Sequence, residues 1–267
     1  MKSLSYLLLS VFVLFLLSCE TVPVTGRTQL SLVPAGTVNS MSFDNYKQFL
    51  TSHKLSTDEV KGAQVKRVGL KIQKAVEAYF ARLNQSSHLS GYQWEFNLVD
   101  SPEVNAWCMP GGKVVVYTGI LPVAQNDTGL AVVMGHEIAH AVANHGNERM
   151  SQSLLVDMGG KALSEVLVSQ PSAAQTLFLK SYGMGAQVGF LLPYSRLHES
   201  EADHLGLIFM SMAGYDPNEA VAFWERMARG KKVAGGQPDF MSTHPADATR
   251  IADLKKLVPE AMQYYRR

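Results

Sequence analysis

Cysteine is scarce. Cys19 and Cys108 are the only two in 267 residues, which leaves no disulfide framework within the chain, so the fold must be held by its own apolar core, for which the length is ample. Charge of one sign is equally lacking. There are 24 basic residues against 23 acidic ones, with no basic run and no basic–aromatic interleaving, which argues against a nucleic-acid-binding surface. After the first eighteen residues no second long apolar run occurs, which excludes a protein with several membrane spans. No internal repeat is visible.

What is present begins with "MKSLSYLLLSVFVLFLLSC". A lysine at position 2, an apolar run from Leu4 to Leu17 and a small residue before Cys19 read as a secretory signal over 1–18. The run is shorter than the ~20 residues of a spanning helix. "LLSC" resembles the lipobox of bacterial lipoproteins, which would make Cys19 the lipid-carrying first residue of the mature chain. Loss of Lys2 with the leader would bring the two charge signs level. The expected location is therefore the bacterial cell envelope, lipid-anchored and periplasmic. Glu20 is not the aspartate that retains some lipoproteins at the inner membrane, which favours the outer membrane. Residues 19–36, punctuated by Thr, Pro and Gly, predict a tether, and 37–267 the folded domain.

Within that domain, residues 58–83 place Val60, Val65, Val68, Ile72, Val76, Tyr79, Phe80 and Leu83 at spacings of three to five, which predicts an amphipathic helix. Residues 92–100 alternate like a strand. Residues 103–121 read as two short strands around a "PGG" turn, and Pro110 places the Val104–Met109 segment at a sheet edge. Helices dominate from Thr118 onward. The aliphatic stretch 150–192 is expected to cover the core, with lining a substrate groove or touching lipid as the other options.

The strongest chemical signal is "HEIAH", residues 136–140, inside a helix that is apolar almost all round. On a helix His136 and His140 lie about 40° apart, one turn from each other, where two neutral imidazoles can bind one Zn²⁺. Glu137 sits beside them, placed to act on water rather than on the metal. Burying these groups in an apolar helix is costly unless they are satisfied. A catalytic zinc takes three protein ligands, so one is still needed. His145, nine positions after His136, falls about 180° away on a continuous helix. Ala143 breaks the longer H-E-x-x-H-x-x-G-x-x-H pattern.

"RLHESEADHLG", residues 196–206, offers the missing carboxylate. Glu199 and Asp203 are four apart and share a helix face, whereas Glu201 lies about 200° from Glu199. Glu199 as ligand, with Asp203 accepting the free N–H of a ligating histidine and so fixing its tautomer, makes physical sense. Glu201 as ligand and a merely solvated face remain alternatives at this point. His198 and His204 have no evident task. Tyr117 and Tyr194 can donate to an oxyanion, but no spacing selects either. Cys108 has no visible histidine partner and reads as inert.

"HEIAH" followed by "SRLHESEADHLGL" resembles the HtpX and CAAX-prenyl-protease type of zinc metallopeptidases. The match extends to "CETVPVTGRTQLSLV", "NAWCMPGGKVVVYTGIL" and "STHPADATRI", and is nearest the lipoprotein branch with outer-membrane quality-control proteases and a mitochondrial inner-membrane relative. The resemblance implies that E-x-x-x-D completes the site, here Glu199 to Asp203. It implies that Asn105, Ala106 and Trp107 form an edge strand that pairs with extended substrate through main-chain hydrogen bonds. It implies that His244 lies near the metal, stabilising an oxyanion or capping the zinc at rest, and that Arg250 orients groups there. The expected fold is α+β and zincin-like, a small sheet with an exposed edge strand over the H-E-x-x-H helix and a mostly helical lower part. The expected function is a one-zinc endopeptidase that cleaves extended or misfolded envelope proteins, with no nucleic-acid partner. The alternative is a lipid-anchored chaperone or assembly factor with a structural or vestigial zinc.

Overall fold

The computed structural model describes residues 19–156, 163–182, 195–233, 239–245 and 248–265. The signal segment, Tyr194 and part of the aliphatic stretch therefore lie outside the described residues. The chain opens with two short antiparallel strands, β1 (Cys19–Thr21) and β2 (Thr28–Leu30). Helices α1 (Ala35–Ser52) and α2 (Glu59–Arg82) follow. Strands β3 (Glu95–Val99), β4 (Ala106–Met109) and β5 (Lys113–Tyr117) form a second sheet. Then come the short α3 (Leu121–Ala124), α4 (Asp127–Val142), α5 (His145–Val156), α6 (Leu163–Ser169) and α7 (Pro171–Ser181). The chain ends with α8 (Arg196–Met212), α9 (Asn218–Val233), α10 (Asp239–Thr243) and α11 (Ala248–Ala261). This is the α+β architecture expected. Among the described residues no helix is long and apolar enough to cross a membrane.

The three-stranded sheet has the order β3-β5-β4, with β3 parallel and β4 antiparallel to β5. Gly111 and Gly112 both take positive φ, 75° and 83°, so the "PGG" turn works because glycine alone adopts these values cheaply. β4 is at the edge, and among the described residues no other strand pairs with its outer side. Its side chains are not exposed, however: all four are buried. Trp107 meets Tyr46 and Phe49 edge to face and donates from Nε1 to the Tyr117 hydroxyl. Among the described residues the edge is therefore unpaired, but it is not exposed.

The helix α2 follows the apolar pattern, with Val65, Val68, Ile72, Val76 and Phe80 buried, whereas Val60 is 81% exposed because it lies in the first turn. Every residue of α4 from Gly129 to Val142 is buried. Asn126 caps it by accepting from the backbone N–H groups of Thr128 and Gly129. α4 packs most closely on α8. At their crossing Gly135 faces Gly206, and a Cβ on Gly206 would stand 3.0 Å from the His136 amide nitrogen. The two glycines bring the helices near enough for His136 on α4 to meet Asp203 and Glu199 on α8.

Residues 19–36 are not a free tether. Val22 and Val33 are fully buried. Gln29 donates to the Ala143 carbonyl, Leu32 N–H to the Ser151 hydroxyl and Asn147 to the Val33 carbonyl. Thr, Pro and Gly punctuation suggests a linker, but the polar groups here find buried partners at the end of α4 and on α5. In the aliphatic stretch Leu154, Val166, Leu177 and Phe178 join the second apolar cluster, while Val156 and Val168 face outward.

Candidate metal centre and active site

His136 and His140 project from α4, Glu199 from the first turn of α8, and His244 from the chain just after α10. One donor atom from each lies within 4.8 Å of the others, and all four residues are buried. His140 Nε2 is 3.1 Å from His136 Nε2, and His244 Nδ1 is 3.1 Å from His136 Nε2. Glu199 Oε1 is 3.3 Å from His140 Nε2 and 2.9 Å from His244 Nδ1.

These residues fit a zinc ion. Tetrahedral ligands at the usual 2.0–2.1 Å stand about 3.3 Å from one another, close to the separations observed. Three imidazole nitrogens turned toward one another in a buried space need a cation or shared protons between them. In addition, Glu137 Oε1 is buried and makes no hydrogen bond with the described residues; the His244 Nε2 lies 3.4 Å from it.

The surroundings orient the donors. Asp203 Oδ1 is 3.0 Å from His136 Nδ1, so it accepts the proton that leaves Nε2 free to bind metal. Arg250 donates from Nε and Nη2 to the two Asp203 oxygens, 2.8 and 2.7 Å, and its Nη1 is 2.6 Å from Glu199 Oε2. Its guanidinium lies 3.5 Å over the Trp224 ring. Beside these residues a cavity of about 240 Å³, lined by Glu199, Asp203, Arg250, Leu254 and Leu257 among others, opens between α8 and α11.

Burial raises the Glu137 carboxyl to about 7, with His244 opposing the rise. Burial would raise Glu199 too, but His244 and Arg250 hold it well below the usual range. The same competition leaves Asp203 lowered, with Arg250 the main counterweight. Burial drives His140 well below 6.5, toward the neutral form that a metal requires. For His136 burial acts in the same direction, yet the hydrogen bonds to Asp203 and Glu199 win and its pKa is raised. The set thus combines a neutral histidine, His140, with an ionised carboxylate and a nearby carboxyl poised to exchange a proton.

The structure therefore brings together His136, Glu137, His140, Glu199, Asp203, His244 and Arg250. Asn105, Ala106 and Trp107 lie on and before β4, the side of the sheet that packs on α4, and Phe240 N–H, four residues before His244, bonds the Val104 carbonyl. Tyr117 is in the core beneath β4 rather than at the donors. Cys108 is buried, and burial raises its thiol well above its ordinary value, which keeps it unreactive.

A second buried polar group escaped the sequence reading. Glu201 lies 3.2 Å from His145 Nε2, Glu148 lies 2.9 Å from His198 Nε2, and Arg27 bonds both carboxylates. His204, partly buried, pairs with the exposed Glu260. The available signal was burial: acids and histidines on apolar helices need partners, and "RLHESEADHLG" holds too many for one face.

The family model described as "Peptidase family M48" matches residues 71–258. The "Mitochondrial metalloendopeptidase OMA1" of Schizosaccharomyces pombe is 33% identical over 249 residues, 91% of this chain and 67% of the relative. The protein of the same name from Saccharomyces cerevisiae is 37% identical over 209 residues, 76% of this chain and 57% of the relative. The "Beta-barrel assembly-enhancing protease" of Escherichia coli is 24% identical over 243 residues, 89% of this chain and 47% of the relative. The chain thus spans between about half and two thirds of the length of these relatives.

Proposed function

The chain belongs to peptidase family M48, and on that premise we propose that it is a zinc-dependent endopeptidase cleaving extended or misfolded segments of envelope proteins. The observation that carries this reading is the buried set of His136, His140, Glu199 and His244 donors with Glu137 beside it. Zinc held by His136, His140 and Glu199 would supply Lewis acidity, polarising a carbonyl and acidifying water. Glu137 takes the proton from the attacking water and passes it to the leaving amine. His244 would take the fourth donor position at rest and turn aside to admit substrate. Asp203 and Arg250 keep His136 and Glu199 in place. The outer edge of β4 offers backbone groups to an extended peptide, which would lie across the sheet side of α4.

Cys19 as the lipid-bearing residue, 1–18 as its signal and the periplasmic side of the outer membrane as its location complete the proposal. The leader sequence and the Escherichia coli relative's printed role in β-barrel assembly support it; the mitochondrial names of the other relatives describe those proteins.

Glu137→Gln tests the mechanism. The variant should retain one zinc per chain and lose casein cleavage by about 10²–10⁴-fold. Cleavage at the parent rate would end the reading. One observation favours a second one: four protein donors are the closed arrangement of a structural zinc, which suits a chaperone. His244→Ala separates the two. Proteolysis that persists or rises with zinc still bound supports the enzyme, and a zinc-bound parent protein without proteolysis under any condition supports the chaperone.

A further inference from the structure

The metal centre has a buried extension that leads to the N-terminal hairpin. α4 does not run on to His145. Ala143 ends it and Asn144 takes a left-handed conformation, φ 57°, which asparagine tolerates better than most residues. The chain therefore turns back, and His145, far round the helix had it continued, comes to lie with its Nδ1 2.9 Å from His140 Nδ1. His145 Nε2 is 3.2 Å from Glu201 Oε2. Glu201 in turn accepts from Thr25 Oγ1 at 2.7 Å and from Arg27 Nε at 3.0 Å. Arg27 also forks onto Glu148, 2.9 and 2.7 Å. His145 and Glu201 are almost wholly buried.

The protons along this line can be placed. When His140 gives Nε2 to the metal, its own proton is on Nδ1. That N–H needs an acceptor, and Nδ1 of His145 is the atom there. His145 must then carry its proton on Nε2, and it donates to Glu201. Glu201 is an ionised carboxylate because the Arg27 guanidinium and the Thr25 hydroxyl hold it so. Each link fixes the next. His136 has Asp203 and Arg250 for the same purpose; His140 has this longer line.

We propose that His145 is the positioning residue for His140, held by Glu201 and Arg27, so that the N-terminal hairpin is part of the metal centre. This rests on the zinc reading above. It explains why the buried His145 and Glu201 are gathered at this helix junction, and why residues 25–27 are docked rather than free.

The test measures zinc affinity by competition with a chromophoric chelator, the visible spectrum of the cobalt-substituted protein, and the melting temperature of the metal-free protein. His145→Leu and Glu201→Gln should weaken zinc binding on the order of 10–100-fold and alter the cobalt spectrum. His145→Asn, whose Oδ1 can stand where Nδ1 stood and still accept from His140, should recover most of the loss. Glu148→Gln loosens the same Arg27 clamp but is off the line to His140, so it should leave affinity within about twofold. Should His145→Leu not fold, the contrast between Glu201→Gln and Glu148→Gln decides. Affinity in the His145 and Glu201 variants within about twofold of the parent, or an equal loss in Glu148→Gln, overturns the proposal. A parent protein that binds no zinc would instead sink the peptidase reading itself.

Discussion

The Arg250 guanidinium touches two carboxylates and an indole ring inside the protein. Asp203 and Glu199 lie 2.7 and 2.6 Å from its nitrogens, and Trp224 is below it. Removing one partner of such a buried pair strands the rest, at a cost of about 3–5 kcal/mol. Zinc carries charge that replaces part of what is lost. Arg250→Leu should therefore destabilise the metal-free protein by about 3–5 kcal/mol and the zinc-bound protein by less, read as melting curves with and without zinc. Equal losses in the two states would show that Arg250 acts only through packing. At the same scale, Glu199→Ala should abolish zinc retention on dialysis. Glu201→Gln should weaken it only in part, because Glu201 reaches the metal through two histidines rather than directly. Helix geometry separated Glu199 from Glu201 in the sequence because a fixed angle per residue decides which groups share a face. What Glu201 faces instead depends on Arg27, 174 positions away, and no local pattern carries that.

Between elements, the close crossing of α4 and α8 sets the site. Gly135 and Gly206 allow it, and of the proposed ligands His136 adjoins Gly135 while Glu199 lies seven residues before Gly206. A larger side chain at 206 meets backbone, which cannot move aside as a side-chain tip would. Gly206→Val should cost about 1–3 kcal/mol through overpacking and should also weaken zinc binding, since it parts the two helices that supply the ligands. A variant with unchanged zinc affinity would mean that the crossing does not set the ligand distances. The helices α2, α4 and α8 were legible because their apolar spacing is long and regular. The parallel pairing of β3 with β5 was not, since strand order is decided by packing between distant segments. The end of α4 was missed for a smaller reason: one left-handed residue, Asn144, reverses where His145 points, and asparagine can equally continue a helix.

Across the whole molecule, the N-terminal hairpin, α5 and α8 are held together by buried charge rather than by apolar contact alone. Glu148 shows the consequence. Burial would raise its carboxyl above the ordinary 4.5, but hydrogen bonds from His198 and Arg27 overcome this and hold it at about 2. A folded-state pKa below the unfolded one gives stability that is complete above about pH 4.5 and is lost as pH falls toward 2, because in that window the unfolded chain takes up a proton that the folded chain refuses. The parent protein should thus lose stability between about pH 5 and pH 3 more steeply than Glu148→Gln, which has no proton to bind there. The difference between the two should be about 1–2 kcal/mol, since part of the pair is reached by water through Arg27. The Gln variant starts lower at neutral pH and its curve is flatter, so the two converge in acid. Chelator-treated protein is the sample to use, because it removes metal release as a second cause of acid lability. Parallel curves for the two proteins would show that the Arg27–Glu148–His198 contacts do not hold the hairpin to α5 and α8, and the docking of residues 19–36 would then have to rest on Val22, Val33, the bonds of Thr25 and Arg27 to Glu201, and the neutral hydrogen bonds of Gln29 and Leu32.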